Sequence, residues 1–500
     1  MAQALSVRSR SGGLAGALLL LAAVALRWRA LGNPVIHIDE QFYFLVGGRM
    51  LEGALPFVDI FDRKPVGLFL IYAACRWIGG ASPLAYQVPA LLCAWATALL
   101  IHGLARRFAG PIAALGAGLL YLVWLTLAGG EGGQAPVFYT PLVAGAAALI
   151  ARRLAGSRPA GWRGTGCAAM LLIGLALQIK YSVVFEGLYL GLVLLAAAWR
   201  DGRRPAALAL DALVWIGCAL LPTAAAAAWY GAIGQGGAWY FANIASILAR
   251  RPEAPAMVAE RIRVMLALML PLVLAVPLRR WTGARPTDAG ASAALRFVDG
   301  WAASALLGVV LFGTWFNHYA LPLFAPFAAA AAPLGRRTIG RVYLVLALAI
   351  GTVWGQRLLL RHQHSRGDAR VLAAATAAAR GATGCLFVYD GYPAWYDTTH
   401  SCLPTTRPFP AHLQALNEQG ATGIDEVREV RRIMDARPSR VMTLTPRYAG
   451  ENLAARAIVA ARLARGYRVL LRAPIDGRIL LVYARRDTVP ADRPALTLPR

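Results

Sequence analysis

Residues 84–107 read LAYQVPALLCAWATALLIHGLARR: no formal charge from Leu84 to Leu104, then the pair Arg106 and Arg107. A helix rises 1.5 Å per residue, so about 20 apolar residues cross a hydrocarbon core of about 30 Å. Arginines concentrate on the cytoplasmic ends of such helices. The stretch therefore predicts a membrane span that ends inside the cell at Arg106. The rest of the chain agrees with it. Of 500 residues, 58% are hydrophobic and 15% charged, against about 25% charged in soluble domains. Mean hydropathy is +0.52. A water-soluble enzyme is excluded, and so is intrinsic disorder, which needs low hydrophobicity.

Further apolar runs follow the same pattern. Gly13–Leu26 comes after Arg8 and Arg10 and lacks a small-residue cleavage site, so it reads as a retained first span. Val66–Ile78 is too short to span and is broken from the next run by Gly79, Gly80, Ser82 and Pro83. It is expected to lie as a helix near the outer interface. After Leu84–Leu104 come Pro111–Leu127, Val137–Ile150, Gly166–Ile179, Val183–Trp199, Ala207–Tyr230, Met265–Leu278, Trp301–Phe316, Leu321–Pro333 and Val342–Gln356. That gives about 11 transmembrane helices on the hydropathy criterion.

The formal net charge is +26. In a soluble protein this would suggest nucleic acid. Here the arginines sit in short clusters between apolar runs, and no nucleic acid partner is expected. With the N-terminus cytoplasmic, the inner segments before the C-terminal region hold eighteen arginines and the outer segments, apart from Arg76 in the Val66–Ile78 run and Arg357 at the end of the last span, ten basic residues. The bias supports an N-in, C-out topology, with Arg27 and Arg29 voting against it. From about residue 358 the composition becomes polar. Cys385–Tyr389, Arg440–Leu444, Tyr467–Leu471 and Ile479–Tyr483 read as strands, and Asp425–Met434 and Asn452–Ala464 as amphipathic helices. The expected division is a membrane domain over 1–357, with its first outer loop at 32–83, and a small α/β domain over 358–500.

The six cysteines show no metal spacing, and no metal or cofactor is expected. Cys385 and Cys402 lie in the polar region. They pair if it is outside the cytoplasm and stay free thiols if it is inside.

Charged groups within or against a bilayer are costly and are functional candidates by default. The first outer loop is the densest. Asp39 and Glu40 open a run in which Phe42, Leu45, Val46 and Met50 recur at helical spacing, with Tyr43 one turn on. The acidic pair reads either as a helix N-terminal charge complement or as a general base at a cavity mouth. Asp62-Arg63-Lys64-Pro65 places two cations at headgroup level, either snorkelling to lipid phosphates or holding one lipid-linked phosphate. Of 51 basic residues only Lys64 and Lys180 are lysine. In so arginine-biased a chain, a retained lysine suggests a need for a compact ammonium. Glu131 in a glycine-rich loop, Lys180-Tyr181 and His318-Tyr319 fall on the same expected membrane face, either as interface anchors or as cavity residues. Glu186 would be intramembrane.

At these residues the chain resembles the GT-C superfamily of polytopic glycosyltransferases, in the branch of protein O-mannosyltransferases and lipid A aminoarabinose transferases. The resemblance rests on Asp39-Glu40 with Tyr43, Gly53–Pro56 leading to Asp62-Arg63-Lys64-Pro65-Val66-Gly67, Ala105–Phe108, Glu131, Gly174–Lys180 and His318–Leu323, over roughly residues 10–335. Val66 replaces a second proline common in the family, and Arg63 stands where an acid is common.

The resemblance implies a polytopic α-helical membrane protein of GT-C type with a small extracytoplasmic C-terminal domain. It also implies an inverting transfer of a sugar from a polyprenyl-phosphate donor to a lipid, glycan or protein hydroxyl outside the cytoplasm. Asp39 would take the acceptor proton, and Glu40 would orient it or hold a sugar hydroxyl. Arg63, Lys64 and Lys180 are the candidate donor-phosphate ligands. Tyr43, Asp62, Glu131, Tyr181, His318 and Tyr319 are candidate cavity residues. The expected location is a bacterial inner membrane. A transporter or flippase of a lipid-linked saccharide is the alternative. Inverted repeats would favour it, and none is evident by eye.

Overall fold

The computed structural model describes residues 2–155, 161–381, 383–490, 492 and 494–499, with side chains from residue 12 onward. Of the arginines that set the topology, Arg158 and the side chains of Arg8 and Arg10 lie outside the described residues. The chain forms two compact units. One comprises 1–31, 87–226 and 256–359, the other 32–86, 227–255 and 360–500. This division does not fall at 357/358, because residues 32–86 and 227–255 belong with the C-terminal region.

The first unit is helical. Among the described residues, seven helices in the chain are long and apolar enough to cross a membrane. They start at Leu84, Ala135, Tyr181, Pro205, Pro255, Ala289 and Thr338. Gly12–Arg27, Pro111–Leu125 and Trp162–Leu177 are shorter apolar helices where spans were expected. The run expected as Leu321–Pro333 is an 11-residue helix, Leu321–Ala331, followed by a 3-10 turn to Arg336. It is buried almost throughout and packs on the Pro111–Leu125, Ala135–Leu154 and Ala289–Phe312 helices. A helix apolar on every side belongs in an interior, and hydropathy alone does not separate protein interior from lipid. The opposite case is Pro205–Ala232, whose Leu210, Leu213, Ile216 and Leu220 are exposed at helical spacing as a face for lipid tails.

Close helix approach uses small residues. A Cβ on Gly174 would lie 2.6 Å from the carbonyl oxygen of Ala219, so only glycine allows that contact. Arg27 corrects the charge reading. It is buried, and its Nη2 donates to Gly130 O at 2.5 Å while Nη1 donates to Ala90 O at 3.3 Å. It ties the glycine-rich loop to a neighbouring helix and is not an interfacial cation, so it carries no vote on topology.

In the second unit the Ile38–Leu51 and Val66–Gly79 helices pack tightly. A Cβ on Gly47 would come within 2.7 Å of the Ala73 nitrogen. Tyr43 meets Tyr72 and Phe69 edge-on at 5.5 and 6.1 Å. The C-terminal region carries a five-stranded sheet of β1 (Leu386–Val388), β2 (Arg440–Thr445), β3 (Tyr467–Ile475), β4 (Arg478–Arg485) and β5 (Leu496–Thr497), ordered β1-β2-β4-β3-β5. β1 and β2 run parallel, whereas β2–β4 and β4–β3 are antiparallel, with Val441 opposite Tyr483.

Helices Glu426–Asp435 and Leu453–Gly466 bury Val430, Ile433, Val459 and Leu463 against Phe387 and Val441. Their starts are fixed locally: Asp425 accepts the Arg428 N–H at 2.8 Å and Asn452 that of Ala454 at 3.1 Å. Cys385, just before β1, is bonded to Cys402, with Cα atoms 4.9 Å apart.

Candidate functional site

The candidate residues fall into one set in each unit.

In the second unit, Asp39 and Glu40 occupy the first turn of the Ile38–Leu51 helix, whose N-cap, His37, makes no side-chain capping bond. Both carboxylates complement the positive helix end, but their exposures differ. Glu40 is fully buried, whereas the Asp39 side chain is 22% exposed and lies 3.8 Å from His37 Nδ1. Tyr43, one turn on, is buried, with the Lys64 Nζ 5.7 Å from its ring centre.

The segment that carries Lys64 is held at both ends. Phe57 adopts a left-handed φ of 71°, and its N–H donates to Ile60 O at 2.7 Å, closing a turn whose Asp59 accepts the Leu55 N–H. The Phe61 N–H then donates to Thr406 O at 2.8 Å. Pro65 forces Lys64 out of helical geometry and starts the Val66–Gly79 helix. Asp62 is buried and accepts the Arg63 N–H at 2.6 Å. Burial raises its pKa, Lys64 opposes that rise most strongly, and Asp39 adds to it. Lys64 and Asp39 thus both bear on the buried Asp62 carboxyl, with opposite sign.

Arg63 faces elsewhere. Its Nη1 lies 2.5 Å from Glu418 Oε2, Nη2 donates to Ala421 O at 2.9 Å, and Nε donates to Ser246 O at 3.3 Å. All three guanidinium nitrogens meet protein acceptors. Beside it, His412 is buried and contacts the Phe61 ring at 5.1 Å. Burial pushes its pKa well below the ordinary value, and Arg63, Lys64, Arg407 and Arg250 push it further. Glu418, Arg250, Arg407 and His412 had no local signal in the sequence.

In the first unit, Lys180 ends the turn after the Trp162–Leu177 helix. Its Nζ sits 3.8 Å from the ring centre of Tyr319. Lys180, Ser182, Glu186, Phe312, Tyr319 and Pro322 line one cavity. Glu186 accepts the Trp301 indole N–H at 2.6 Å, which fixes its carboxylate. His318 stacks on Phe316 at 5.6 Å and neighbours Tyr319 in a 3-10 turn. Glu131 is buried in the loop held by Arg27, and Tyr181 is half-buried; both lie outside that lining.

No family model matches the chain, and no curated protein matches it by sequence. Solved structures do. The crystal structure of ArnT from Cupriavidus metallidurans in the apo state is similar at a TM-score of 0.59 and 14% identity, covering 94% of this chain and 97% of that one. The apo oligosaccharyltransferase of Archaeoglobus fulgidus aligns at a TM-score of 0.49 and 12% identity, over 86% of this chain and 69% of that one. The arabinosyltransferase EmbB from Mycobacterium smegmatis aligns at 0.41 and 16%, over 93% of this chain and 42% of that one. The correspondence with ArnT covers nearly the whole of both chains, and this chain shares the fold of that structure.

Proposed function

We propose that the chain is an inverting glycosyltransferase of a bacterial inner membrane. It moves a sugar from a polyprenyl-phosphate donor to a lipid, glycan or protein hydroxyl on the outer face. The observation that carries this reading lies in the first loop. An accessible carboxylate, Asp39, opens the helix whose Tyr43 ring stands 5.7 Å from the Lys64 ammonium, while the adjacent Glu40 is buried.

The acceptor oxygen attacks the anomeric carbon while its proton passes to the Asp39 carboxylate. The bond from that carbon to the phosphate oxygen breaks, its electron pair leaves with the polyprenyl phosphate, and configuration inverts. Phosphate is already a good leaving group, so the Lys64 ammonium needs only to stabilise its growing charge. Arg63, with its nitrogens on protein acceptors, is assigned no phosphate here. Lys180, which lines the cavity of the first unit, remains a candidate donor ligand, and Tyr43, Asp62, His318 and Tyr319 remain candidate substrate-site residues. The orientation belongs to the same reading: N-terminus cytoplasmic, C-terminal region outside.

The test is incubation of purified protein with radiolabelled polyprenyl-phosphate sugars and envelope lipid. Label in an acceptor, lost in Asp39→Asn, supports transfer. Movement of intact donor across proteoliposomes with no label in any acceptor would replace it with the transporter reading.

A further inference from the structure

The Arg63–Glu418 contact gives the C-terminal region a task. Three stretches of the second unit converge on the Glu418 carboxylate, whose side chain is 6% exposed. Arg63 of the first loop reaches one oxygen at 2.5 Å, and Arg250 of segment 227–255 reaches the other at 2.9 Å. The flanking residues repeat the link. The Arg251 N–H donates to Asn417 O at 3.1 Å, and Asn417 Nδ2 donates to Glu253 at 3.0 Å. Phe61, two residues before Arg63, is pinned from the same side through its N–H on Thr406 O, with its ring beside His412 and under the Arg407 guanidinium at 4.9 Å. Lys64 is thus the residue between this clamp and the rigid start of the Val66–Gly79 helix, and it has little freedom of its own.

We propose that Glu418 is a positioning residue: through Arg63 it clamps the Phe61–Lys64 segment to the C-terminal region and so sets where the Lys64 ammonium stands. A charge buried with two cations is costly to remove, because both guanidiniums are left behind without it. The clamp therefore works as a unit, and its members are not additive. The functional consequence rests on the transferase reading above, whereas the clamp itself can be tested without it.

The experiment compares wild type, Arg63→Gln, Glu418→Gln, Glu418→Asp and the Arg63→Gln/Glu418→Gln double variant, as full-length protein in detergent or nanodiscs. Hydrogen exchange is followed at the Phe61 amide, and transfer is followed with saturating acceptor. Exchange at Phe61 should rise in both single Gln variants. A Lys64 displaced by about 1 Å should lower kcat on the order of 10²-fold while donor KM moves less than about threefold, because the ammonium is misplaced and not lost. The double variant should be no worse than Glu418→Gln alone, and Glu418→Asp should recover part of kcat.

Two results would overturn the clamp. One is Arg63→Gln raising donor KM while Glu418→Gln behaves as wild type, which would make Arg63 a phosphate ligand. The other is unchanged Phe61 exchange in both single variants. If wild type transfers no sugar from any donor, the transferase reading fails, and the exchange arm still decides the clamp.

Discussion

Asp39 and Glu40 are consecutive residues on one helical turn, yet only the Asp39 side chain reaches solvent: it is 22% exposed beside His37, while Glu40 is fully buried. Neighbours on a helix are rotated by about 100°, so one carboxylate faces solvent and the other faces protein. A general base must touch the proton it removes. Asp39→Asn keeps the shape but cannot take a proton, and it should lower transfer about 10²–10⁴-fold with donor binding retained. Glu40→Gln should act through stability first, shifting the unfolding midpoint more than the turnover of the folded fraction. Matched measurements of turnover, donor binding and thermal unfolding check both. A dead Glu40→Gln beside a near-normal Asp39→Asn would hand the base role to Glu40.

The Cys385–Cys402 bond needs an oxidising compartment, and this ties it to the proposed orientation. Thiol labelling of the unreduced, denatured protein should leave both residues unlabelled. Alkaline phosphatase fused after Arg485 should be active, and fused after Arg204 inactive. Cys385→Ala/Cys402→Ala should cost the C-terminal region about 3 kcal/mol, the loop-closure estimate for a ring of this size. Activity only from the Arg204 fusion would invert the topology.

His412 makes stability depend on pH. Burial and four cations hold its folded pKa below the ordinary 6.5. The unfolded chain therefore binds a proton that the folded chain refuses. As pH falls below 6.5, stability should drop by about 1.4 kcal/mol per pH unit until the depressed pKa is reached. Above 6.5 this contribution is flat. His412→Gln should remove that part of the slope between pH 6.5 and 5, measured as unfolding midpoints. An unchanged slope would mean that the imidazole charges without penalty in the folded protein.

Much of the architecture was legible because its causes are local. Span length, the short apolar runs of β2 and β4, and the capping side chains Asp425 and Asn452 all act within a few residues. The first-loop acids and Lys64 stand out as candidates in the sequence because charge beside apolar runs is costly wherever it occurs. What escaped depends on distant partners. Arg27 looks like any interfacial arginine until the Gly130 carbonyl is known to accept from it. Leu321–Ala331 has the hydropathy of a span and the surroundings of a core. Glu418 sits in a polar stretch, and only Arg63 and Arg250, both remote in sequence, give it meaning. The grouping of 32–86 and 227–255 with 360–500 is invisible for the same reason.

Lys64→Arg tests whether charge alone suffices at the proposed site. The chain carries 51 basic residues and only two lysines, so arginine was readily available at this position. Lys64 lies between the clamped Phe61–Arg63 stretch and Pro65, so its backbone cannot shift to accommodate a longer side chain. A guanidinium is planar and forked where the ammonium is compact. Placed on the same backbone, it would set the donor phosphate about 1 Å from its productive position and lower kcat on the order of 10²-fold. A lysine that merely snorkels to bulk lipid would tolerate the change, because arginine snorkels equally well. Transfer rates of wild type and Lys64→Arg at matched expression and saturating acceptor separate the two. Equal rates would remove Lys64 from the reaction and leave the phosphate to Lys180, the other retained lysine, beside Tyr319 in the cavity of the first unit.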